Sequence, residues 1–199
     1  MTTTITSTIK PTGGGNYTSL NTWEADRRGD ITAVGRDTIE VAEVYSGGNA
    51  ITTNFTFYTV IWHTDYDHYI EIRAAVGHRH SGVYDESKAF LATRYPMIDS
   101  LVGASFGGYP ESYGYLKLRN MQFKNNHCEY SLALRGWYIV ADSCLILGGA
   151  AITCDTVRYS VFKNCIIHGH STYGIRLNTN NGVWGTKIKF LNCTNQFRQ

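Results

Sequence analysis

Apolar and polar residues alternate in four segments of the C-terminal half, and the four share one pattern. They are "YLKLRNMQF" (115–123), "YIVADSCLI" (138–146), "YSVFKNCII" (159–167) and "TKIKFLNCT" (186–194). In each, apolar or small residues occupy alternate positions and are followed by Asn or Ser and then by Met or Cys. The closing residues Met121, Cys144, Cys165 and Cys193 recur at nearly even spacing, with a longer interval before the last. A period of about 22 residues indicates a solenoid.

A second alternating stretch follows a turn in three of these units: "YSLALR" (130–135), "AAITCD" (150–155) and "YGIRLN" (173–178). Two short strands per repeat, without helical spacing between them, predict an all-β fold, a right-handed parallel β-helix. A β-sandwich of short, evenly spaced strands is the alternative. We favour the β-helix because residue classes match from one repeat to the next.

Stacked coils align equivalent residues in columns about 4.8 Å apart along the solenoid. Two inward columns are predicted, Leu116/Ile139/Ser160/Ile188 and Leu118/Ala141/Phe162/Phe190. In the second stretch the aligned sets are Leu132/Ile152/Ile175 and Leu134/Cys154/Leu177. A polar ladder of Asn120/Ser143/Asn164/Asn192 closes the first strand of each coil, where side chains can satisfy backbone groups of the turns.

The N-terminal half contains one predicted helix, in "NYTSLNTWEADRRGD" (16–30). Thr18 or Ser19 caps it and Gly29 ends it, and Leu20 and Trp23 require a packing partner. Strands are expected in 37–45, 55–64 and 69–76, with a further coil drawn from 90–105. We therefore expect an extended, Thr-rich arm over residues 1–12, a capping helix region over 13–35, and the β-helix over 36–199.

Composition narrows the functional classes. The net charge of +2 is too small to indicate nucleic-acid binding, and no apolar run is long enough to span a membrane. The N-terminal residues lack the pattern of a secretory signal. Five cysteines are an odd count, and we expect reduced thiols instead of a disulfide framework.

Several segments resemble a family of phage and prophage proteins that begin with a Gly-rich helix and continue into a pectate-lyase-like β-helix. The segments are "GGGNYTSLNTWEAD", "DTIEVAEVY", "YIEIRAAVGHRHSGVYDESKAFL" and "YLKLRNMQFKN". The resemblance implies a structural role in the virion, such as capsid decoration, head fibre or tail fibre, sometimes with glycan binding or cleavage. It carries no catalytic motif onto residues of this chain.

Two histidine clusters are candidate metal sites. Cys165, His168 and His170 lie close together in the chain, but strand alternation points Cys165 inward and His168 outward, which leaves too few ligands for zinc. The other cluster is His78 and His80, with His63 or His68 nearby. For both clusters we predict that the histidines are surface, turn or loop residues, and we expect no metal and no cofactor.

A polysaccharide lyase or glycoside hydrolase is the main functional alternative, since β-helices host such enzymes. The predicted register places Asp142 between Arg119 and Lys163, and Asp155 next to Arg135. Such neighbours keep a carboxylate ionised, whereas a general acid must hold its proton. We therefore predict a non-enzymatic protein.

Aromatic residues supply the candidate binding surface: Tyr109, Tyr113, Tyr115 and Trp137. Such side chains suit a glycan or a protein partner, and the sequence does not separate the two. We expect a virion structural protein that contacts capsid or tail subunits, forms a homo-oligomer and has a host-surface glycan as a further partner. The final rung, "FLNCTNQFRQ", has no amphipathic cap, and we expect a partner or a continuation of the β-helix to cover it.

Overall fold

The computed structural model describes residues 1–46, 62–92, 98–99, 115–169, 175–178 and 188–197. In these ranges the chain is mostly β-structure with one short helix, which confirms the predicted class. The elements in chain order are β1 (Thr3–Ile9), α1 (Leu20–Arg27), β2 (Thr38–Val44), β3 (Ile70–Ala74), β4 (Phe90–Ala92), β5 (Ile98–Asp99), β6 (Leu116–Arg119), β7 (Gln122–Trp137), β8 (Ile139–Asp142), β9 (Leu145–Arg158), β10 (Ser160–Lys163), β11 (Ile166–Gly169), β12 (Ile175–Asn178), β13 (Ile188–Leu191) and β14 (Thr194–Phe197).

The strands form two parallel sheets. The first sheet has the order β1-β2-β3-β6-β8-β10-β13, and the second has the order β14-β11-β9-β7-β4, with β12 beside β9 and β5 beside β7. From β6 to β11 the chain alternates between the sheets, one strand at a time. Leu118 and Phe162 of the first sheet share one buried cluster with Phe123 and Ile146 of the second. The core therefore lies between the two sheets.

The register of the strands confirms the predicted columns. Leu116 aligns with Ile139 and Ser160 with Ile188, while Phe162 aligns with both Ala141 and Phe190. In the second sheet Ile152 aligns with Leu132 and Ile175, and Cys154 with Leu134 and Leu177. The sequence pattern was less accurate on strand number. In the first two coils, the first predicted stretch is divided at the corner between the sheets: its start forms β6 or β8, and its end continues through the second stretch as one long strand, β7 or β9. The pairing of β7 with β9 has two register shifts.

The polar ladder occupies the corner between the two sheets. Its four members have positive φ angles, 56° at Asn120, 55° at Ser143, 54° at Asn164 and 51° at Asn192. Asn visits this left-handed region more readily than most residues, which explains why it recurs there. Each coil also bonds to the next: Asn192 Nδ2 donates to Asn164 Oδ1 at 2.8 Å, and Asn164 Nδ2 donates to Asp142 Oδ1 at 3.2 Å.

The cysteine column follows each corner and points into the core. Cys144 and Cys165 are buried, Cys193 is half-buried, and all three are free thiols, as expected for reduced cysteines. Each Sγ lies close enough to donate to backbone carbonyls, for example Cys144 to Leu118 at 3.5 Å. Burial raises the pKa of the Cys144 thiol well above its ordinary value. This column therefore contributes small apolar side chains to the core.

The helix is shorter than predicted but has the predicted cap. The Ser19 side chain accepts a hydrogen bond from the Thr22 N–H, and Leu20 and Trp23 are buried. Helical geometry ends at the C-cap Arg28, whose ψ is 151°, one residue before the predicted end at Gly29. α1 contacts β1 and β2, the first two strands of the first sheet. The predicted helix therefore has the packing partner that it requires.

The extended arm predicted over residues 1–12 is not separate from the β-structure, because most of it is a strand of the first sheet. β1 pairs in parallel with β2 over its full length, from Thr3 opposite Thr38 to Ile9 opposite Val44. The side chains of Ser7 and Ile9, which belong to β1, are buried. The first sheet therefore begins at residue 3 and not after residue 36. The missed signal was the alternation of Ile5, Ser7 and Ile9 among β-prone threonines.

Of the other predicted strands, 37–45 and 69–76 correspond to β2 and β3, and 90–105 contributes β4 and β5. β4 and β5 both pair with β7, as an intervening coil requires. Most of the strand predicted in 55–64 lies outside the described residues.

Candidate functional site

A tyrosine stands immediately before each of four neighbouring strands of the first sheet. These residues, here named the tyrosine column, are Tyr69, Tyr115, Tyr138 and Tyr159, and the parallel register places them at one level. The rings of Tyr115 and Tyr138 stack with centroids 4.4 Å apart and planes within 2°. Those of Tyr138 and Tyr159 stack at 5.2 Å and 11°. Each such pair adds about 0.5–1.5 kcal/mol beyond the effect of burial.

Two members of the column have a strained backbone. Tyr138 has a φ of 57° and Tyr159 a φ of 52°, in the left-handed region that costs a residue with a Cβ about 1–2 kcal/mol. Strained conformations persist only where the surrounding structure enforces them, and they cluster at functional sites. Here the in-register strands and the stacked rings hold both residues in place.

A groove of about 540 Å³ runs along the column on the outer face of the first sheet. Its lining comprises the tyrosine column with Thr2, Asp37, Ile39, Tyr66, Asp67, His68, Leu116, Lys117 and Val140. Ligand pockets in proteins typically have volumes of about 300–1,000 Å³. The groove is therefore large enough for a small ligand or for a few units of a polymer, and it offers both aromatic and polar contacts.

Lys117 supplies the ammonium group of the groove. Its Nζ lies 3.2 Å from the centroid of the Tyr69 ring, a close cation–π contact. Burial lowers the pKa of Lys117, as does the nearby Arg119, while Glu71 raises it. Glu71 is occupied by Arg73 at 3.4 Å and by Arg119 at 3.6 Å. Lys117 therefore makes no salt bridge with a carboxylate of the described residues.

His68 bridges two carboxylates on the opposite wall of the groove. Its Nε2 lies 2.7 Å from Asp37 Oδ1 and its Nδ1 lies 2.7 Å from Asp65 Oδ1. The hydrogen bond to Asp37 is the largest cause of a raised His68 pKa; burial opposes it and Asp65 adds to it. Asp37 also approaches the N-terminal ammonium at 3.4 Å. The cluster thereby joins the start of β1 to the segment before β3.

The structure brings one predicted binding residue into this groove. Tyr115 is a member of the column, whereas Tyr109 and Tyr113 lie outside the described residues. Trp137 is the last residue of β7 in the second sheet, where its backbone aligns with Arg158. Sequence reasoning missed the rest of the column. The signal was present, because three of the four aligned repeats begin with tyrosine.

The histidines of the candidate metal sites have other contacts. Cys165 and Ile167 are buried while His168 is half-buried, as strand alternation predicted, and His170 lies outside the described residues. His80 Nε2 lies 2.9 Å from the backbone oxygen of Ser143. Within the described ranges, no group of three or more His, Cys, Asp or Glu residues is arranged to hold a metal ion.

The carboxylate of Asp142 lies in the predicted column between Arg119 and Lys163. Burial raises its pKa, but hydrogen bonds from Lys163, Asn164 and Ser143 outweigh that effect and lower it overall. Lys163 Nζ is 3.0 Å away. Asp142 is therefore held ionised, which does not suit a general acid. The backbone of Asp155 aligns with that of Arg135, as predicted.

A serine–histidine pair joins the segments that follow the strands β2 and β3. Both the backbone N–H and the hydroxyl of Ser46 approach His78 Nδ1, at 3.1 and 2.5 Å, and the Tyr45 ring packs on the imidazole. A catalytic pair also needs a group that orients the histidine and donors for an oxyanion. No carboxylate of the described residues contacts His78, and this contact serves to hold the chain where it leaves β2.

Comparison with family models, with curated proteins and with solved structures finds no match to this chain. Among the described residues, no helix has the length and apolar character needed to cross a membrane. Functional proposals therefore rest on the register of the strands and on the geometry of the groove.

Proposed function

We propose that the two sheets are faces of one right-handed parallel β-helix, with α1 packed at its first coils. Three features support this fold: every strand pairing of the described residues is parallel, the chain alternates between the sheets, and both sheets share one buried cluster. Parallel crossover connections are right-handed in about 98% of cases, which gives the handedness.

We infer that this β-helix is a structural protein of a phage virion, as a capsid decoration, head fibre or tail fibre component. The observation that carries the proposal is the register, which stacks equivalent residues over successive coils. Such stacking produces a stiff scaffold with a continuous outer face. The resemblance of the N-terminal segments to phage β-helix proteins agrees with this role.

The outer face of the first sheet is the proposed contact surface with capsid or tail subunits, with a second copy of the chain or with a host glycan. Tyrosine is enriched where proteins bind partners, and here it forms a whole column. Residues 3–9 belong to the first sheet, so the proposed contact surface is the groove and not an N-terminal arm.

Electron microscopy of intact particles tests the virion role directly. We expect density for the chain at a repeated position on the head or tail, together with a homo-oligomer in sedimentation of the purified protein. Purified infectious particles that lack the chain, as judged by mass spectrometry, would contradict the proposal.

We propose that the role is non-catalytic, because two acids of the outer face are paired with bases, Asp142 with Lys163 and Glu43 with Arg73. Screening acidic and neutral polysaccharides for new reducing ends or unsaturated uronates tests this point. Turnover by the protein that disappears in Asp142→Ala would overturn it.

A further inference from the structure

The floor of the groove restricts the kind of ligand that fits it. Leu116, Lys117 and Val140 belong to the central strands β6 and β8, each hydrogen-bonded to a strand on both sides. Backbone N–H and C=O groups in such strands are used within the sheet. An extended peptide therefore cannot add main-chain hydrogen bonds here, and recognition must use side chains.

Those side chains combine flat apolar rings with hydroxyl groups. The stacked rings of Tyr115 and Tyr138 face each other and leave their edges toward the groove, while Tyr159 is 46% exposed and Tyr66 is 80% exposed at the rim. Sugar rings have the complementary character, with apolar C–H faces and a rim of hydroxyl groups. Tyrosine meets both requirements, because its ring is apolar and its O–H both donates and accepts hydrogen bonds.

Lys117 gives the groove a preference in charge. Its ammonium is half-buried against Tyr69, and the nearest acid of its own face, Glu71, is already engaged by two arginines. A partly desolvated cation that has no carboxylate partner among the described residues gains most from an anionic ligand group. Asp37 and Asp67 line the same groove, so hydroxyl groups rather than further anions suit that part.

We propose that the groove binds an anionic oligosaccharide, with its carboxylate or sulfate group at Lys117 and its sugar rings along the tyrosine column. This builds on the proposed use of the same face as a contact surface and names the chemistry of one ligand. Binding of a free glycan does not depend on whether the chain is mounted in a particle.

Calorimetric titration of the full chain with sialyllactose, a sulfated lactose and neutral lactose tests the proposal. We expect both anionic probes to bind at least about tenfold more tightly than lactose, since a hydrogen bond to a charged group contributes about that much. The difference should shrink as the salt concentration is raised, because salt screens charges at a surface. Equal affinity for all three probes, or no binding of any, would overturn the proposal.

Paired lysine variants locate the site. Lys117→Gln should lose the preference for the anionic probes, whereas Lys124→Gln should keep it. Lys124 is a matched control because it also lies over a tyrosine ring, that of Tyr84 at 4.1 Å, but on β7 in the second sheet. It has a carboxylate partner, Glu86 at 3.6 Å, whereas Lys117 has none in the part of the chain that the structure describes. An unchanged preference in Lys117→Gln would reject this site.

Tyr159→Ala provides a second test that does not depend on Lys117→Gln folding correctly. The Tyr159 side chain is 46% exposed, so its removal should cost no more than its stacking on Tyr138, about 0.5–1.5 kcal/mol, and should leave the protein folded with a thermal midpoint only a few degrees lower. We expect affinity for all three sugars to fall together, and an unchanged affinity would contradict the inference. Particle microscopy reports on the virion role independently, so either proposal can fail alone.

Discussion

Successive side chains of the first sheet point alternately to its inner and outer faces, and the two faces differ in the residues that they carry. The inner face carries apolar columns such as Leu118, Ala141 and Phe162, interrupted by the carboxylate of Glu40. The outer face carries charged pairs at the ends of the strands and the tyrosine column at their starts. The side chains of the inner face are selected for burial in the core. On the outer face, the side chains differ in whether their charges form salt bridges.

The two ends of the strands also differ on the outer face, in how their charges are paired. At the strand ends Arg73 is paired with Glu43 and Glu71, and Lys163 with Asp142. At the strand starts Lys117 rests on an aromatic ring without a carboxylate among the described residues. The salt bridges at the strand ends stabilise the fold, whereas Lys117 at the strand starts can still bind an anionic group of a ligand.

Truncation of a core column should give the largest effect. Phe162 is completely buried and stacks on Phe190 at 4.9 Å, so Phe162→Ala should lower the free energy of unfolding by about 3–5 kcal/mol. Val161→Ala, at the adjacent position on the outer face, should cost less than about 1 kcal/mol. Urea unfolding measures both, and equal losses would mean that the two faces are not distinguished by burial.

The buried carboxylate should give the next largest effect. Glu40 is fully buried and accepts two hydrogen bonds from Arg27, at 3.0 and 2.7 Å, with Arg36 at 3.2 Å. Arg27→Met should lower the free energy of unfolding by about 3 kcal/mol, because it leaves a buried charge with weaker compensation. Glu40→Leu should cost less, since it removes the charge itself. The reverse order in chemical unfolding would refute this account of how α1 is attached to β2.

Substitutions at the corner between the two sheets should change the free energy of unfolding less, through backbone conformation. Asn164 has a φ of 54°, so Asn164→Ala should cost about 1–2 kcal/mol. Asn164→Gly loses the same hydrogen bonds to Asn192 but adopts this φ freely, and it should therefore be the more stable of the two variants. Thermal unfolding of both variants tests the point, and an alanine variant as stable as the glycine variant would argue against it.

The smallest effect should come from the pH dependence of the groove wall. Because Asp37 and Asp65 raise the pKa of His68 above its unfolded value of about 6.5, protonated His68 stabilises the folded state. That contribution is complete below the unfolded pKa and is lost as pH rises through the folded one. The stability difference between the original protein and His68→Gln should therefore be larger at pH 6 than at pH 9. Urea unfolding at the two pH values would contradict this if the difference were constant.

Much of the fold could be predicted because burial imposes a period on the sequence. The repeat at Met121, Cys144 and Cys165 led directly to the observed register, and Leu20 and Trp23 identified the helix. Residues 1–12 were misassigned because threonine carries little burial signal, although Thr3–Ile9 is a full strand. The continuity of β7 and β9 was also missed, since alternation does not show whether a strand bends or stops.

The candidate site was less predictable. Tyr115 was selected from sequence for its aromatic ring, but Tyr138 and Tyr159 were read only as the first letters of a repeat. Lys117 gave no signal at all, because one lysine in a strand resembles any other solvated lysine. Its distinction depends on Tyr69, which precedes a different strand and is remote from Lys117 along the chain.

By itself the sequence determined the mostly β class, the period of the repeat and which residues point inward, because these follow from local alternation and from the cost of exposing apolar side chains. The tertiary structure alone decided which charges are neutralised and which rings stack. Those contacts join residues on different coils, so they exist only once the strands are in register. The groove is a product of that register, and so is its lysine without an acidic partner among the described residues.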